Sequence, residues 1–270
     1  MIYLSPDLIL AGIGSLFVGI LSVLIGLGGG FILVPMYTLV FSLTPEIAVG
    51  TSITATICTT LSATLFQFDK VKEHLSIIFR IIIFSLPASI LSSYSVQFLQ
   101  GWALTGIFGL FLLIMAFRLT LWNEGTYVWL KILSSNRHQE SEKNVRKKCI
   151  TNRFLYSIGC LGGLVSGLTG ISGGIIFVPA LITRKIQIHE AVIISLASII
   201  ITSSGAAATS LCLGHVSLPF LFSTAIGVFL GAAIGVRLSP YFSPVTIRWM
   251  LGVSVGLMAL IMIVKAVTPV

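Results

Sequence analysis

Ten apolar runs, separated by short polar breaks, leave this chain only one solvent in which to fold. They fall near residues 8–25, 31–42, 47–68, 75–97, 102–121, 154–170, 174–183, 189–213, 217–237 and 246–267. Most approach twenty residues, enough as helix to cross the roughly 30 Å hydrocarbon core of a bilayer at about 1.5 Å per residue. Of the 270 residues, 56% are hydrophobic and 9% are charged. A soluble domain carries about a quarter charged residues, and a globule of this size lacks the interior to hide so much apolar surface. The chain therefore reads as an all-α polytopic membrane protein whose first partner is the lipid bilayer.

Composition also narrows the function. The net charge of +8 is concentrated in the stretch 123–153 and at helix ends. That is where orientation signals sit, so no nucleic acid partner is expected. Cys58, Cys149, Cys160 and Cys212 show no metal-binding spacing, and His74, His138, His189 and His215 are scattered. With no nucleotide, phosphate or hydrolase motif either, the reading is no metal, no cofactor, no catalytic residue and no enzyme. No basic region precedes the first apolar run, so a cleaved signal peptide is not expected.

Two runs are too short to span. As helices, Phe31–Phe41 would reach about 16 Å and Ile175–Thr183 about 14 Å. Each follows a glycine cluster and contains a proline, Pro35 or Pro179, so each is read as a half-helix whose proline holds it short or kinked. The two regions also match each other. Gly26-Leu-Gly-Gly-Gly-Phe-Ile-Leu-Val-Pro35 aligns with Gly170-Ile-Ser-Gly-Gly-Ile-Ile-Phe-Val-Pro179. After a one-residue shift, Ala48–Ser52 aligns with Ala191–Ser195 and Thr59-Thr60 with Thr202-Ser203; Phe98 then aligns with Phe242 and Gly109 with Gly252. Matches in this order indicate a duplication: residues 1–122 as the first transmembrane repeat, 123–153 as a basic cytoplasmic linker with a short interfacial piece at Tyr127–Leu133, and 154–270 as the second repeat.

Two layouts fit the duplication. If each half-helix forms a re-entrant hairpin with its predecessor and three full crossings follow, the repeats are inverted. Lys70, Lys72, Arg118, Arg184, Lys185 and Arg237 then join the linker on the cytoplasmic side, as the excess of basic residues there requires, and only Lys265 falls clearly outside. If each hairpin is one broken span, the repeats are parallel and Arg184, Lys185 and Arg237 fall outside. Charge favours two inverted repeats, each a hairpin plus three transmembrane helices.

The glycine clusters carry the functional expectation. Non-helical backbone in hydrocarbon costs several kcal/mol per unsatisfied group, so it implies a shielded or wet cavity. Glycine allows tight conformations and leaves N–H groups uncovered. Helix N-termini after Gly28-Gly29-Gly30 and Ser172-Gly173-Gly174 would point partial positive charge at a small anion without any buried lysine or arginine. Close helix packing is the plainer use of such glycines. Thr51, Ser52 and Ser195, taken to open their helices beside the tips, are added as donors to the anion. The remaining hydroxyls of the two stripes, among them Thr56, Thr59, Thr60, Ser198, Thr202 and Ser203, are read as bonding back to their own helices. Arg80 and Arg248 sit within reach of a cytoplasmic end and can snorkel. Glu46 and Glu190 occupy matching helix starts, where they complement the helix dipole or relay a coupling proton. Residues 67–74 read as a solvated cytoplasmic turn.

On these glycine motifs, their second-half counterparts and the pattern Gly231-Ala-Ala-Ile-Gly235, the chain resembles the sulfite exporter TauE/SafE-like transporters, also known as the toluene sulfonate uptake permease family. The resemblance covers nearly the whole chain outside the linker. It implies a secondary carrier of sulfite, sulfonates or related sulfur-containing anions, driven by a coupling proton or sodium ion and seated in a bacterial inner membrane. A passive anion channel is the alternative. The second repeat departs at Ser172, where the first has Gly28, and at Ile193-Ile194, where it has Gly50-Thr51.

Overall fold

The computed structural model describes residues 6–120, 151–184, 186–238, 256 and 259–261. The chain runs through α1 (Pro6–Ile25), α2 (Gly30–Pro35), α3 (Pro45–Leu65), α4 (Phe68–Lys72), α5 (Leu75–Ser95) and α6 (Gly101–Thr120). It continues through α7 (Asn152–Thr169), α8 (Gly174–Thr183), α9 (Ile188–Cys212) and α10 (Leu218–Leu238). Among the described residues there is no strand. Five helices, α1, α3, α5, α9 and α10, are long and apolar enough to cross a bilayer.

Local sequence sets the ends. Gly26 (φ 78°) and Gly170 (φ 68°) follow α1 and α7 in the left-handed conformation that ends a helix and that glycine adopts without steric cost. Pro45 opens α3 behind an extended Thr44, in the position where a missing N–H costs nothing. Both short runs are helical arms, Gly30–Val40 and Gly174–Thr183. Their prolines act differently. α2 ends at Pro35 and the arm goes on as a π turn, Met36–Val40, whereas Pro179 sits inside a helix that stays α-helical to Thr183. The expected turn at 67–74 contains the short helix α4, with an exposed Lys72–Asp69 pair at 3.8 Å. α7 begins at Asn152, inside the stretch assigned to the linker. Most of that linker, including Tyr127–Leu133, and most of the final run with Arg248 and Lys265 lie outside the described residues.

Contact registers give the helix directions. Leu8 meets Ser223, Gly12 meets Gly227, Leu16 meets Gly231 and Ile20 meets Gly235, so α1 and α10 run parallel. Ile81 meets Gly159, Ser85 meets Gly163 and Ser92 meets Gly167, so α5 and α7 run parallel. Between α3 and α9 the order reverses: Gly50 lies by Ser210, Ile53 clusters with Ala206 and Ala207, and Ala63 clusters with Leu196. Thr51–Ser217 and Ser62–Phe229 make α3 parallel to α10, while Ser85–Thr202 and Ser93–Ser210 make α5 parallel to α9. Thus α1, α3 and α10 point one way, and α5, α7 and α9 the other.

The packing crosses between the two halves of the sequence. Gly227, Gly231 and Gly235 form a ladder on α10 that seats the α1 backbone, and Gly159, Gly163 and Gly167 form one on α7 that seats α5. In lipid no hydrophobic force drives helices together, so such close approach supplies the dispersion contacts that do. Hydroxyls add ties across the same seams: Ser85 with Thr202 at 2.7 Å, Ser89 to the Thr202 carbonyl at 2.8 Å and Ser62 to the Phe229 carbonyl at 2.9 Å. Phe79, Leu91, Phe222 and Ile226 face outward on α5 and α10, as a lipid-facing surface requires.

Every lysine and arginine among the described residues lies at one end of this bundle. Lys70 and Lys72 follow α3, Arg80 bonds Asn152 at the start of α7, and Arg153 is next to it. Arg184 stacks over Phe154, and Arg237 closes α10. Arg118 belongs to the last turn of α6, whose first residue, Gly101, lies beside Glu46 at the opposite end. That opposite end holds Asp7, Glu46 and His215.

Candidate functional site

The loops that end α1 and α7 meet inside the bundle and lie alongside one another in opposite directions. Gly26 is against Gly174, Gly28 against Ser172, and Gly30 against Gly170. A Cβ on Gly30 would overlap the Gly170 carbonyl oxygen; one on Gly174 would stand 2.5 Å from the Gly26 carbonyl oxygen. One on Gly28 would overlap the Ser172 hydroxyl and come within 2.9 Å of Thr56 Cγ2. All ten residues from Gly26 to Gly30 and from Gly170 to Gly174 are buried. Here glycine is required because two backbones pass at contact distance.

Three hydroxyls tie the tips crosswise. Ser195 on α9 donates to the Gly26 carbonyl at 3.1 Å, and its counterpart Ser52 on α3 reaches the carbonyls of Gly30 and Gly170 at 3.5 and 3.4 Å. Ser172 donates to the Leu27 carbonyl of the opposite tip. Ser52 and Ser195 each lie seven residues inside their helices, about 10 Å from the ends, and they reach the tips from opposite ends of the bundle. The crossing is therefore deep. Thr51, also inside α3, accepts the Ser217 N–H at 3.0 Å, which fixes the start of α10. None of the three opens its helix, because Pro45 and Ile188 do.

The tips also hold unsatisfied groups. Among the described residues, nothing accepts a hydrogen bond from the backbone N–H of Gly28, Gly29, Gly30 or Phe31, nor from that of Ser172, Gly173, Gly174 or Ile175. These are the orphan donors of two helical arms. The hydroxyls of Ser22, Thr56 and Ser166 are fully buried and likewise have no partner among the described residues. Ser22 Oγ is 3.3 Å from where a Gly29 Cβ would stand, and the Thr56 side chain lies against Gly28. Buried polar groups in folded proteins are nearly always paired; the hydroxyls of Thr64 and Ser203, farther along α3 and α9, are also buried with no partner among the described residues. Among the described residues the buried polar side chains are those of Ser and Thr and the Tyr37 hydroxyl; the donors are all neutral.

The nine expected site residues thus divide. Gly28, Gly29, Gly30, Ser172, Gly173 and Gly174 supply the crossing and its free N–H groups, Ser52 and Ser195 brace it, and Thr51 stands apart. Sequence reasoning overlooked Ser22 and Ser166 and assigned Thr56 to packing. Both serines lie four residues before the first glycine of their cluster. Extending the repeat alignment backwards by one helical turn would have exposed them. Of the hydroxyls read as back-bonding, Thr59, Thr60, Ser198 and Thr202 do bond to the preceding turn; Ser203, like Thr56, does not, and is buried with no partner among the described residues. The repeats differ in conformation: the first tip holds three left-handed glycines, Gly26, Gly28 and Gly29, and the second only Gly170.

Comparison with known proteins adds the family. The family model described as Sulfite exporter TauE/SafE matches residues 11–262. A probable membrane transporter protein of Methanocaldococcus jannaschii is 30% identical over 276 residues, covering 96% of each chain. A probable membrane transporter protein of Bacillus subtilis is 26% identical over 243 residues, covering 83% of this chain and 86% of its own. No solved structure matches the chain. A multi-pass helical bundle, two crossed glycine tips in its interior and a family match over nearly the whole length agree: the chain belongs to the sulfite exporter TauE/SafE family of membrane transporters.

Proposed function

We propose that the chain is a secondary carrier for a small oxyanion of the sulfite or sulfonate type, bound where the two tips cross. The observation that carries this reading is the crossing itself, where eight N–H groups and the hydroxyls of Ser22, Thr56 and Ser166 have no partner among the described residues, in a buried setting without charge among those residues. Neutral donors gathered along one crossing suit an anion. The antiparallel course of α3 and α9, and the exchange of partners between first and third helices, support an inverted repeat. Such a repeat permits the site to open to either face in turn. The basic end is assigned to the cytoplasm, and the membrane to the cell's inner or only bilayer. Glu46 and Glu190, in the first turns of α3 and α9, are the candidates for a coupling proton.

Flux of radiolabelled sulfite or methanesulfonate into proteoliposomes tests this. Saturable uptake that follows an imposed ion gradient is expected, together with its loss in Gly29→Leu and Gly173→Leu. High, non-saturating electrogenic conductance would replace the carrier with a channel. Full flux in both variants would remove the tips from the transport path.

A further inference from the structure

We propose that this site accepts its cargo only as a monoanion, so that a doubly charged oxyanion of the same shape is excluded; this rests on the carrier reading above. Two observations lead there. First, the buried interior among the described residues offers no cationic side chain: its polar groups are Ser and Thr hydroxyls and the Tyr37 hydroxyl, and the described lysines and arginines are gathered at one end. The cost of moving an ion out of water rises with the square of its charge, so a dianion costs about four times as much as a monoanion to bring to the crossing. Neutral dipoles gain only in proportion to the charge itself.

Second, the crossing is lined by acceptors as well as donors. The carbonyls of Gly26, Leu27, Gly30 and Gly170 lie along the crossing, and each already accepts from Ser195, Ser172 or Ser52. A carbonyl oxygen has a second lone pair. These oxygens repel a bare dianion and can accept from the O–H of a protonated oxyanion. The hydroxyls of Ser22, beside Gly29, and of Thr56, whose methyl lies against Gly28, are fully buried with no partner among the described residues and can donate or accept as the cargo demands. N–H donors, carbonyl acceptors and amphoteric hydroxyls together match a species with one negative charge, such as hydrogensulfite or a sulfonate.

Purified protein in liposomes, with equal pH on both sides, tests the inference with three probes at fixed total concentration. Sulfite passes from monoanion to dianion near neutral pH, methanesulfonate stays a monoanion, and sulfate stays a dianion. Sulfite uptake should fall about tenfold per pH unit above its second ionisation, in step with the monoanion fraction. Methanesulfonate uptake should stay level, and sulfate should not enter. Sulfate carried at a rate comparable to sulfite, or sulfite uptake that holds or rises with pH, overturns the inference while leaving the carrier. A parallel fall for methanesulfonate assigns the pH dependence to the protein and also overturns it. Protein that moves none of the three overturns the carrier reading and this inference with it.

Discussion

Replacing Ser22 with alanine should make the protein more stable and a worse transporter. Most hydroxyls in these helices bond back to the preceding turn, as Thr60 does to the Thr56 carbonyl at 2.8 Å and Ser198 to the Ile194 carbonyl at 2.7 Å. Ser22 does not: its oxygen is buried without a partner among the described residues, while its own carbonyl accepts from Gly26 and Leu27. A buried, unpaired hydroxyl costs about 1–3 kcal/mol. Ser22→Ala removes that group, leaves only a one-atom gap, and keeps the carbonyl that closes α1. The expected gain is about 1 kcal/mol after the packing loss is subtracted, or a rise in Tm of about 2–4 °C for a chain of this size. Uptake should move the opposite way, with a KM raised about ten- to a hundredfold, the worth of one hydrogen bond to a charged ligand at about 1.5–3 kcal/mol. A thermal melt in detergent and initial uptake rates in proteoliposomes read the two effects from one preparation. A lower Tm, or an unchanged KM, would show that the hydroxyl serves the fold and that the site is misplaced.

Other substitutions separate contact from chemistry. Gly30→Ala places a methyl on the Gly170 carbonyl and Gly174→Ala places one 2.5 Å from that of Gly26. Each should cost about 1–3 kcal/mol by overpacking and abolish flux, whereas Gly214→Ala, with nothing within 4 Å, meets only the left-handed backbone cost of about 1–2 kcal/mol and should keep its flux; melts and uptake compare the three. Tyr37→Phe removes a fully buried 2.7 Å bond to Thr224, whose hydroxyl still has the Phe220 carbonyl at 2.7 Å. The loss should be about 1 kcal/mol, seen as a small drop in Tm with folding intact. In a cysteine-free background, an impermeant thiol reagent should label His215→Cys on intact cells and Asp69→Cys only after permeabilisation; the reverse pattern would turn the bundle over.

Much of the fold was readable because the bilayer leaves few choices. Run length gave the spans, and the paired glycine–proline clusters gave both arms to within a residue or two: Gly30–Val40 and Gly174–Thr183. The site was readable only in outline. A glycine cluster announces that backbone will leave helical geometry, but not what will press against it, and here that is a second glycine cluster 144 positions away, the offset between Gly26 and Gly170. Once two tips cross, their carbonyls compete for nearby hydroxyls. Ser52 and Ser195 are therefore tied to tip carbonyls, whereas Ser22, Thr56 and Ser166, none assigned to the site from the sequence, have no partner among the described residues. The π turn after Pro35 was also hidden, since Pro179 in the matching position leaves α8 regular.

The same packing limits how such a transporter can move. The first helix of each repeat lies against the third helix of the other: α1 on α10, and α7 on α5, each through a glycine ladder with backbones in contact. Sliding one sequence half as a rigid body past the other would tear both ladders, where backbones are in contact. The units that can move together are the pairs α1–α10 and α5–α7, each drawn from both repeats, or the two arms by themselves. The arms are not equivalent. The first carries a π turn, left-handed Ser42 at its end and a Tyr37–Thr224 hydrogen bond to α10. The second is regular helix, and Leu181, matching Tyr37, lies in an apolar cluster with Ile81. A hydrogen-bonded contact has a preferred angle and an apolar one does not. The end closed by Tyr37 should therefore switch between two defined positions, while the basic end closes by graded packing. If Tyr37→Phe and Leu181→Ala slowed uptake equally from both faces, that division of labour would fail.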